Sequence, residues 1–231
     1  MQSGASRVAS ARRHTAKGRV RRQALLHAAR TLLADRALDQ LTLPMIAENA
    51  GIPASSAYHF YPDLVELYKD LAGAISEEMA EYIPSQSEAQ NWESVVREVT
   101  SKVRDFLNAD GAALQLLNGP KTNPEIKAAG CGNDLRFGVA VRQLIARSFE
   151  LPTFPNQDEV FFRAIQISDL LFSLSVAKHG LITDEYFEDG SNAMLAYLSL
   201  YIPKLLARRP NKPVLVALDD EDGLRLGSRG S

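Results

Sequence analysis

The sequence is poor in cysteine and has no long apolar run. Cys131 is the single cysteine among 231 residues, which excludes an internal disulfide and any metal site built from several cysteines. We expect it to be a small, half-buried side chain in a reducing compartment. No uninterrupted apolar stretch approaches the roughly 20 residues that span a membrane, and the N-terminus lacks the apolar segment of a secretory signal. We therefore expect a cytoplasmic protein with no membrane partner.

The sequence also lacks the motifs of common enzyme classes. It contains no nucleophile elbow, no H-E-x-x-H zinc motif and no Walker loop. No strand pattern precedes the glycines that flank Cys131, so we interpret this cluster as a helix break and not as a nucleotide site. The lone cysteine and the four scattered histidines do not indicate a catalytic triad. We expect a protein that is not an enzyme and that needs no cofactor and no metal ion.

Acidic residues are missing from the first 34 positions, although the whole chain has a net charge of −2. This segment carries eight positive charges, which leaves −10 on the remainder. A basic segment in front of a helical module can follow a phosphate backbone and release counterions as it binds. For residues 1–14 alone, a disordered tail that only aids solubility is the alternative. The basic residues are Arg7, Arg12, Arg13, Lys17, Arg19, Arg21, Arg22 and Arg30.

Two short helical patterns meet at Gly51. Thr42 is a plausible N-cap for the first, and Pro44 falls in its first turn, where a missing N–H costs little. This helix is expected from about Leu43 to Ala50, because Gly51 suits the left-handed residue that closes a helix. The second is expected to begin at Pro53 or Ala54 and to end near Tyr61. The spacing predicts a helix-turn-helix.

The second of these helices has two different faces. Ala57, Phe60 and Tyr61 share one face and are predicted to form a small core with Ile46 and Ile52 of the preceding helix and turn. The opposite face then presents short polar groups and two rings that can contact phosphates or base edges. An ordinary helical hairpin with an incidental polar face is the alternative. The residues of the predicted DNA-contacting face are Ala54, Ser55, Tyr58 and His59, with Ser56 at the flank.

The first 70 or so residues resemble the DNA-binding domain of the TetR (tetracycline repressor) family of bacterial regulators. The resemblance implies that Ser55, Ser56, Tyr58 and His59 lie on a recognition helix. It rests on an alanine-rich first helix and on a pattern that aligns without a gap onto Thr42, Ile46, Ala47, Ala50, Gly51, Ile52, Tyr58, Tyr61 and Pro62.

Two positions depart from the family pattern. Pro53 stands where the family usually has a capping serine or threonine, and Leu64 stands where a phosphate-binding lysine is common. Positive charge from the first helix could replace that lysine. We therefore predict DNA contacts for Arg19, Arg21, Arg22 and Thr42, in addition to the face described above.

The rest of the chain reads as further helices. The patterns predict helices from about Lys17 to Asp35, after the cap Asp63 to Pro84, from Trp92 to Asn108, after Pro124, from Asn133 to Phe149, from Asp158 to His179, and from Thr183 to about Arg208 with a bend at Pro203. The expected fold is all-α, with a three-helix DNA-binding domain before a larger helical effector-binding and dimerisation domain. We divide the chain into a basic flexible arm (1–16), the helix-turn-helix domain (17–70), the effector and dimerisation domain (71–209) and a flexible tail (210–231).

The last two helices are the most apolar and are candidates for a dimer interface. Pairing with the same helices of a second copy would make the four-helix contact that the family resemblance implies, and an intrachain core is the alternative. The interface residues we predict are Leu171, Leu174, Met194, Leu198, Ile202 and Leu205.

A row of polar side chains on the apolar helix predicted from Asp158 to His179 is the candidate effector site. It consists of Gln166, Asp169 and Ser173, with Arg142, Arg147 or Arg163 as possible partners of Asp169. A structural hydrogen bond or ion pair is the alternative role for these groups.

The expected partners are a double-stranded DNA operator, a second copy of the chain and an unknown small-molecule effector. The function implied is that of a ligand-responsive homodimeric repressor on a pseudo-palindromic operator, released by its effector. A helical carrier or scaffold that has lost specific DNA binding is the alternative, supported by Pro53 and Leu64.

Overall fold

The computed structural model describes residues 3–209, and it describes the side chains of residues 17–127 and 133–209. Within this range the chain is all-helical apart from loops, and its one extended pairing is an isolated antiparallel bridge between Phe149 and Arg208. The helices are α1 (Ser3–Leu33), α2 (Leu43–Asn49), α3 (Ala54–Phe60), α4 (Leu64–Glu81), α5 (Trp92–Ala109), α6 (Gly111–Ala113), α7 (Pro124–Ser148), α8 (Gln157–His179) and α9 (Asp184–Leu198). A 3₁₀ turn (Leu38–Gln40) follows α1, and a π-helical turn (Leu114–Asn118) continues α6. The predicted all-α class is confirmed.

α1 begins at Ser3, which is earlier than the start near Lys17 that the apolar pattern predicted. The predicted tail at 210–231 lies outside the described residues, as do the side chains of Cys131, Arg7, Arg12 and Arg13.

α2 and α3 form the predicted helix-turn-helix. The hydroxyl oxygen of Thr42 accepts a hydrogen bond from the Met45 N–H at 3.4 Å and so caps α2. Gly51 closes the turn with a φ of 64°, a left-handed conformation that glycine adopts without a steric penalty. α3 follows after Pro53, and its length matches the prediction to within one residue at each end. The local signals at Thr42, Pro44 and Gly51 are therefore confirmed.

The apolar core of the head (residues 17–70) continues into the body (residues 71–209). From the head, Leu25, Ile46 and Leu67 are fully buried in this cluster. Phe106, Leu116 and Phe172 of the body belong to the same cluster, and a second cluster in the body surrounds Trp92. The division into domains at residue 70 stays a prediction, but any movement of the head must repack this shared core.

Two predicted helix boundaries are wrong. α7 runs without a break from Pro124 to Ser148, so the glycines around Cys131 do not interrupt it. Glycine inside a helix costs about 1 kcal/mol relative to alanine, an amount that packing against α4 and α8 can offset. α9 ends at Leu198 and does not continue bent to Arg208. Pro203 disfavours helical conformation in the residue before it, so the chain leaves the helix through turns instead of bending within it.

Of the described helices, α8 alone is long and apolar enough to cross a membrane when judged by length and composition. It packs against both α7 and α9, and Phe161, Ala164 and Phe172 on it are buried in the protein. This is the pattern of a core helix that is covered on more than one side.

Gly138 lets α7 approach α8 closely, and this contact gives a first prediction. A Cβ at Gly138 would lie 2.9 Å from the Phe162 backbone nitrogen, whereas a Cβ at Gly73 of α4 would have no neighbour within 4 Å. We expect Gly138→Ala to lower the free energy of unfolding by roughly 1–3 kcal/mol through overpacking. The matched control Gly73→Ala should raise it by about 0.5–1 kcal/mol, because alanine favours helix. Equilibrium denaturation of both variants measures the difference, and equal stabilities would contradict the close packing.

Candidate DNA-binding surface and internal cavity

α3 separates an inner apolar face from an outer polar face, as predicted. Ala57 and Tyr61 are buried against the head core, and Phe60 is half-buried beside them. On the opposite side the Tyr58 side chain is 52% exposed. Ala54, Ser55 and His59 are also exposed, and Ser56 is half-buried at the flank. The outer face is accessible to a partner molecule.

The three arginines predicted to hold phosphate have different surroundings. Arg19 and Arg21 are exposed, and Nη1 of Arg21 lies 3.5 Å from Oγ of Ser56. This contact brings a positive charge from α1 to the edge of α3. The guanidinium of Arg22 instead forms an ion pair with Asp70 of α4. Its charge is therefore paired with a carboxylate of the head, and the phosphate contact predicted for Arg22 stays a prediction.

Arg22 belongs to a three-residue network that fixes the end of α3. The Tyr61 hydroxyl donates to Oδ2 of Asp70 at 2.8 Å, and Nε of Arg22 donates to the Tyr61 hydroxyl oxygen at 3.0 Å. Burial, followed by the hydrogen bond to Asp70, raises the pKa of the Tyr61 hydroxyl to about 12. The network joins α1, α3 and α4, and it holds the outer face of α3 in a fixed orientation. Sequence reasoning missed it because Arg22 and Asp70 are 48 residues apart.

Two further sequence positions acquire a structural role. Leu64 is half-buried and packs against the head core, which accounts for an apolar residue where the family commonly has lysine. Thr42 is exposed. Its oxygen accepts the α2 cap bond, so the hydroxyl hydrogen stays available to donate to a phosphate.

An internal cavity of about 130 Å³ lies in the body, between α4, α5, the π-helical turn, α7 and α8. Gln166 and Asp169 of the predicted effector site line it, and Ser173 lies 3.4 Å from Nδ2 of the lining residue Asn118. The structure therefore brings the three predicted residues to one region. The lining residues are Met79, Thr100, Val103, Leu107, Leu116, Leu117, Asn118, Ile126, Lys127, Asp134, Phe137, Ile165, Gln166, Ser168, Asp169 and Phe172.

Asp169 is not neutralised by an arginine, and this part of the prediction is wrong. Its Oδ1 accepts a hydrogen bond of 2.5 Å from Nδ2 of Asn118. The three candidate arginines contact other groups because they lie on outward-facing sides of their helices: Arg142 with Asp158, Arg147 with the Ser85 carbonyl and Arg163 with Glu159.

The pKa of Asp169 is raised to about 6, chiefly by burial and then by the neighbouring carboxylate of Asp134, while Asn118 and Lys127 oppose the rise. Since the pKa in the folded state exceeds the ordinary value of 3.8, the ionised carboxylate lowers the stability of the fold above pH 6. That cost disappears as the pH falls through 6 toward 3.8. The cavity therefore holds a carboxylate whose charge is poorly compensated at neutral pH.

Asn118 carries a polar atom that has no partner among the described residues. Its Oδ1 is buried and accepts no hydrogen bond, although Nδ2 of the same amide is fully engaged. An unsatisfied buried acceptor costs about 1–3 kcal/mol, so it needs an explanation. Sequence reasoning missed this residue because it begins a segment, NGPKTN, that reads as a loop.

The π-helical turn that carries Asn118 also contacts the head. Nε2 of Gln115 donates to the carbonyl oxygens of Leu33 at 2.8 Å and of Arg36 at 2.9 Å, and its Oε1 accepts from the Leu38 N–H at 3.1 Å. These two carbonyl groups and the one N–H group lie at the end of α1 or in the segment that leads to α2. One side chain of the turn therefore holds the head while another, three residues later, lies at the cavity.

Arg30 of α1 makes a second contact across the same boundary. Its Nε donates to Asp110 at 2.7 Å, and its Nη1 donates to Glu78 of α4 at 2.6 Å. Asp110 in turn caps α6 by accepting from the Ala112 N–H at 2.8 Å. Arg30 thus ties the orientation of α1 to α4 and to the residue that joins α5 and α6.

The predicted dimer residues fall into two groups. Met194, Leu198 and Ile202 are buried in the second core cluster of their own chain, so predicting them at a dimer interface was wrong; the amphipathic pattern marked an intrachain core. Leu174 and Leu205 are exposed and Leu171 is half-buried, so for these the interface stays a prediction. Leu170, which the sequence did not single out, is 62% exposed one turn before Leu174 on α8.

Comparison with known proteins agrees with this geometry. Residues 25–71 match the family model described as bacterial regulatory proteins, tetR family. Among solved structures, a TetR-family transcriptional regulator from Streptomyces coelicolor has a TM-score of 0.61 at 19% identity over 79% of this chain and 98% of its own. One from Rhodococcus sp. RHA1 has a TM-score of 0.62 at 16% identity over 79% and 97%. No match was found among curated protein sequences.

The matched residues contain α2, α3 and the Tyr61–Asp70 contact, and the structural likeness extends over the body. TetR-family regulators are DNA-binding transcription factors and not enzymes. Residues 25–71 thus match the tetR family of bacterial regulatory proteins, and the described chain shares the all-helical fold of solved TetR-family transcriptional regulators.

Proposed function

We propose that this regulator is a homodimeric repressor that binds a pseudo-palindromic operator through α3 and is released by a small-molecule effector. The observation that carries the proposal is the exposed outer face of α3 beside Arg21, held by the Tyr61–Arg22–Asp70 network. In a two-fold dimer, the two α3 helices enter successive major grooves about 34 Å apart. Ser55, Tyr58 and His59 contact base edges or phosphates there, while Arg19, Arg21 and Thr42 contact phosphates. Such a protein works in the cytoplasm.

The exposed apolar side chains of α8 support the dimer. Leu170 and Leu174 lie one helical turn apart and are exposed in the single chain. Burying them against the same residues of a second copy makes a self-complementary contact, as two-fold symmetry requires. The buried apolar core of α8 and α9 stays within each chain.

The link between cavity and head supports the ligand response. A ligand that changes the contacts of Asn118 acts on the same five-residue turn from which Gln115 holds the end of α1. Coupling of about 1–3 kcal/mol between the two sites is sufficient to change operator occupancy several-fold or more. Two solved structures of similar fold are RolR in complex with resorcinol and the flavonoid-responsive regulator FrrA, at TM-scores of 0.56 and 0.51.

The experiment that tests the function is the recovery of genomic DNA fragments bound by the purified protein at moderate salt, followed by titration of ligands against the most enriched fragment. We expect enrichment of a sequence with two related half-sites, and an affinity that falls steeply as salt rises. Failure to enrich any sequence over bulk DNA would contradict the proposal.

A helical carrier or scaffold is the second candidate function. Two observations favour it: Leu64 is packed in the head core, and the charge of Arg22 is compensated by Asp70. Both reduce the positive charge available for a phosphate backbone. A carrier binds its ligand but enriches no DNA sequence, so the fragment experiment separates the two functions.

Replacing Gln115 by leucine should weaken the coupling between cavity and operator. The variant loses three hydrogen bonds to the head backbone but keeps the side-chain volume. We expect the ligand-induced change in operator affinity to fall by at least three-fold, while ligand affinity in the absence of DNA changes little. Titration of the releasing ligand with and without the enriched fragment measures both quantities. Gln143→Leu, an exposed glutamine of α7, is the matched control, and an unchanged ligand response in Gln115→Leu would exclude this path.

A further inference from the structure

The polar groups of the cavity have already used most of their donors. Nδ2 of Asn118 donates to Asp169, and Nε2 of Gln166 donates to Oδ2 of Asp134 at 2.8 Å. The hydroxyl groups of Thr100 and Ser168 donate to backbone carbonyls of their own helices. Nδ2 of Asn118 also donates to Ser173, so Asn118 presents only its carbonyl oxygen to a ligand, while Gln166 has donated one of its two N–H groups.

Apart from the second N–H of Gln166, the polar atoms that the amide and carboxylate side chains of the lining still offer to a ligand are acceptors. Oδ1 of Asn118 is buried without a hydrogen bond, and Asp134 and Asp169 bring two carboxylates to the same lining from α7 and α8. Lys127 is the one cationic side chain among the described lining residues, and it lowers the pKa of Asp169. A ligand with its own acceptors or with negative charge would meet these oxygens unfavourably, because buried polar atoms need complementary partners.

The size of the cavity limits the ligand to about one ring. Its volume is about 130 Å³, which is close to the roughly 150 Å³ of an apolar cavity known to take benzene. Apolar side chains, among them Val103, Leu107, Leu116, Phe137 and Phe172, form most of the remaining lining. The ligand body is therefore apolar.

We propose that the cavity binds a small protonated amine with an apolar body, whose ammonium group donates to Oδ1 of Asn118 and to the carboxylates of Asp134 and Asp169. An ammonium group offers up to three N–H donors to these three acceptors and carries the charge that compensates the carboxylates. A neutral hydroxyl offers one donor and no charge. The inference rests on the proposed ligand response and names the chemical class of that ligand.

The affinity of the amine should depend on pH. Burial raises the pKa of both Asp134 and Asp169, the latter to about 6, and the groups that face Asp169 are Asp134 and Lys127 of α7 and Asn118 of the π-helical turn. Protonation of Asp169 removes the charge that holds the ammonium. Amine affinity should therefore rise as the pH increases through 6 and stay high until the amine itself loses its proton.

Three probes of one shape test the proposal by calorimetry on the full chain at pH 7.5: benzylamine, benzyl alcohol and benzoate. We expect benzylamine to bind at least ten-fold more tightly than benzyl alcohol, and benzoate to show no binding. In Asp169→Asn, benzylamine affinity should fall at least ten-fold. The matched control is Asp158→Asn, an exposed position on the same helix that pairs with Arg142, and its affinity should equal that of the unchanged protein.

The outcomes separate this inference from the proposed function. Benzoate binding as tight as benzylamine binding, or an unchanged affinity in a folded Asp169→Asn variant, overturns the amine assignment even when a DNA fragment is enriched. If Asp169→Asn does not fold, the pH dependence of benzylamine binding to the unchanged protein decides: a flat profile between pH 5 and 7.5 overturns the assignment. Specific benzylamine binding without any enriched DNA supports the amine site and contradicts the repressor.

Discussion

Replacing Tyr58 or His59 by alanine is expected to weaken operator binding by roughly 30-fold to 10⁴-fold. A contact to a base edge contributes about 1–3 kcal/mol of discrimination. Each substitution occurs in both subunits of the proposed dimer, so the expected loss is about 2–6 kcal/mol, with each 1.4 kcal/mol equal to ten-fold in affinity. Fluorescence anisotropy on the enriched fragment measures the loss. Both side chains are exposed in the head, so the variants should unfold at the same denaturant concentration as the unchanged protein.

Matched controls for these variants lie in the body. Tyr82→Ala removes a ring that is 49% exposed at the end of α4, and His179→Ala removes an exposed ring in the last turn of α8. Neither should change operator affinity. A further distinction comes from Arg21→Ala, which should reduce the salt dependence of binding and weaken all DNA sequences alike, because Arg21 is assigned to phosphate. Full operator affinity in both Tyr58→Ala and His59→Ala would refute the assigned reading face.

Replacing Leu170 and Leu174 together by aspartate is expected to convert the proposed dimer into monomers at micromolar concentration. Burial of one leucine side chain contributes about 1.5–3 kcal/mol, and the symmetric contact contains four of them. Aspartate adds the cost of burying like charges opposite one another. We expect the dimer dissociation constant to rise at least 1,000-fold. Sedimentation equilibrium measures the dimer dissociation constant. Operator affinity should decrease as the dimer dissociates, because each half-site is then bound by a separate monomer.

The monomeric variant should keep its fold, because both leucines are exposed in the single chain. Leu135→Asp, which alters a side chain of α7 that is 36% exposed, is the control and should remain dimeric. If the double variant stays dimeric as well, the contact lies elsewhere, and the exposed Leu205 becomes the next position to test.

The sequence was most informative where a signal acts over one or two turns. Thr42, Pro44 and Gly51 set the ends of α2 through capping and a left-handed φ, and the two faces of α3 follow from a spacing of three and four residues. Each of these depends on neighbours that are visible in a short window of the chain. For that reason the helix-turn-helix and its exposed face could be predicted.

The features that the sequence did not predict depend on contacts between distant positions. Arg22 pairs with Asp70 across 48 residues, and Asn118 reaches Asp169 across 51. Periodicity also does not distinguish a stripe buried within one chain from a stripe shared with a second copy, which is why Met194 and Leu198 were assigned to the interface. Assigning a residue to a long-range contact or to an interface therefore requires knowledge of how the helices pack in three dimensions.

The network of Tyr61, Arg22 and Asp70 has a consequence for how the protein can change its target. It fixes the position of α3 with side chains that lie off the outer face of α3, so the positions proposed to read DNA and the positions that hold the helix are different sets. Exchanging Ser55, Tyr58 and His59 for other side chains should therefore redirect the regulator to a new binding sequence without a loss of folding. New specificities can then arise one residue at a time, each on a stable scaffold.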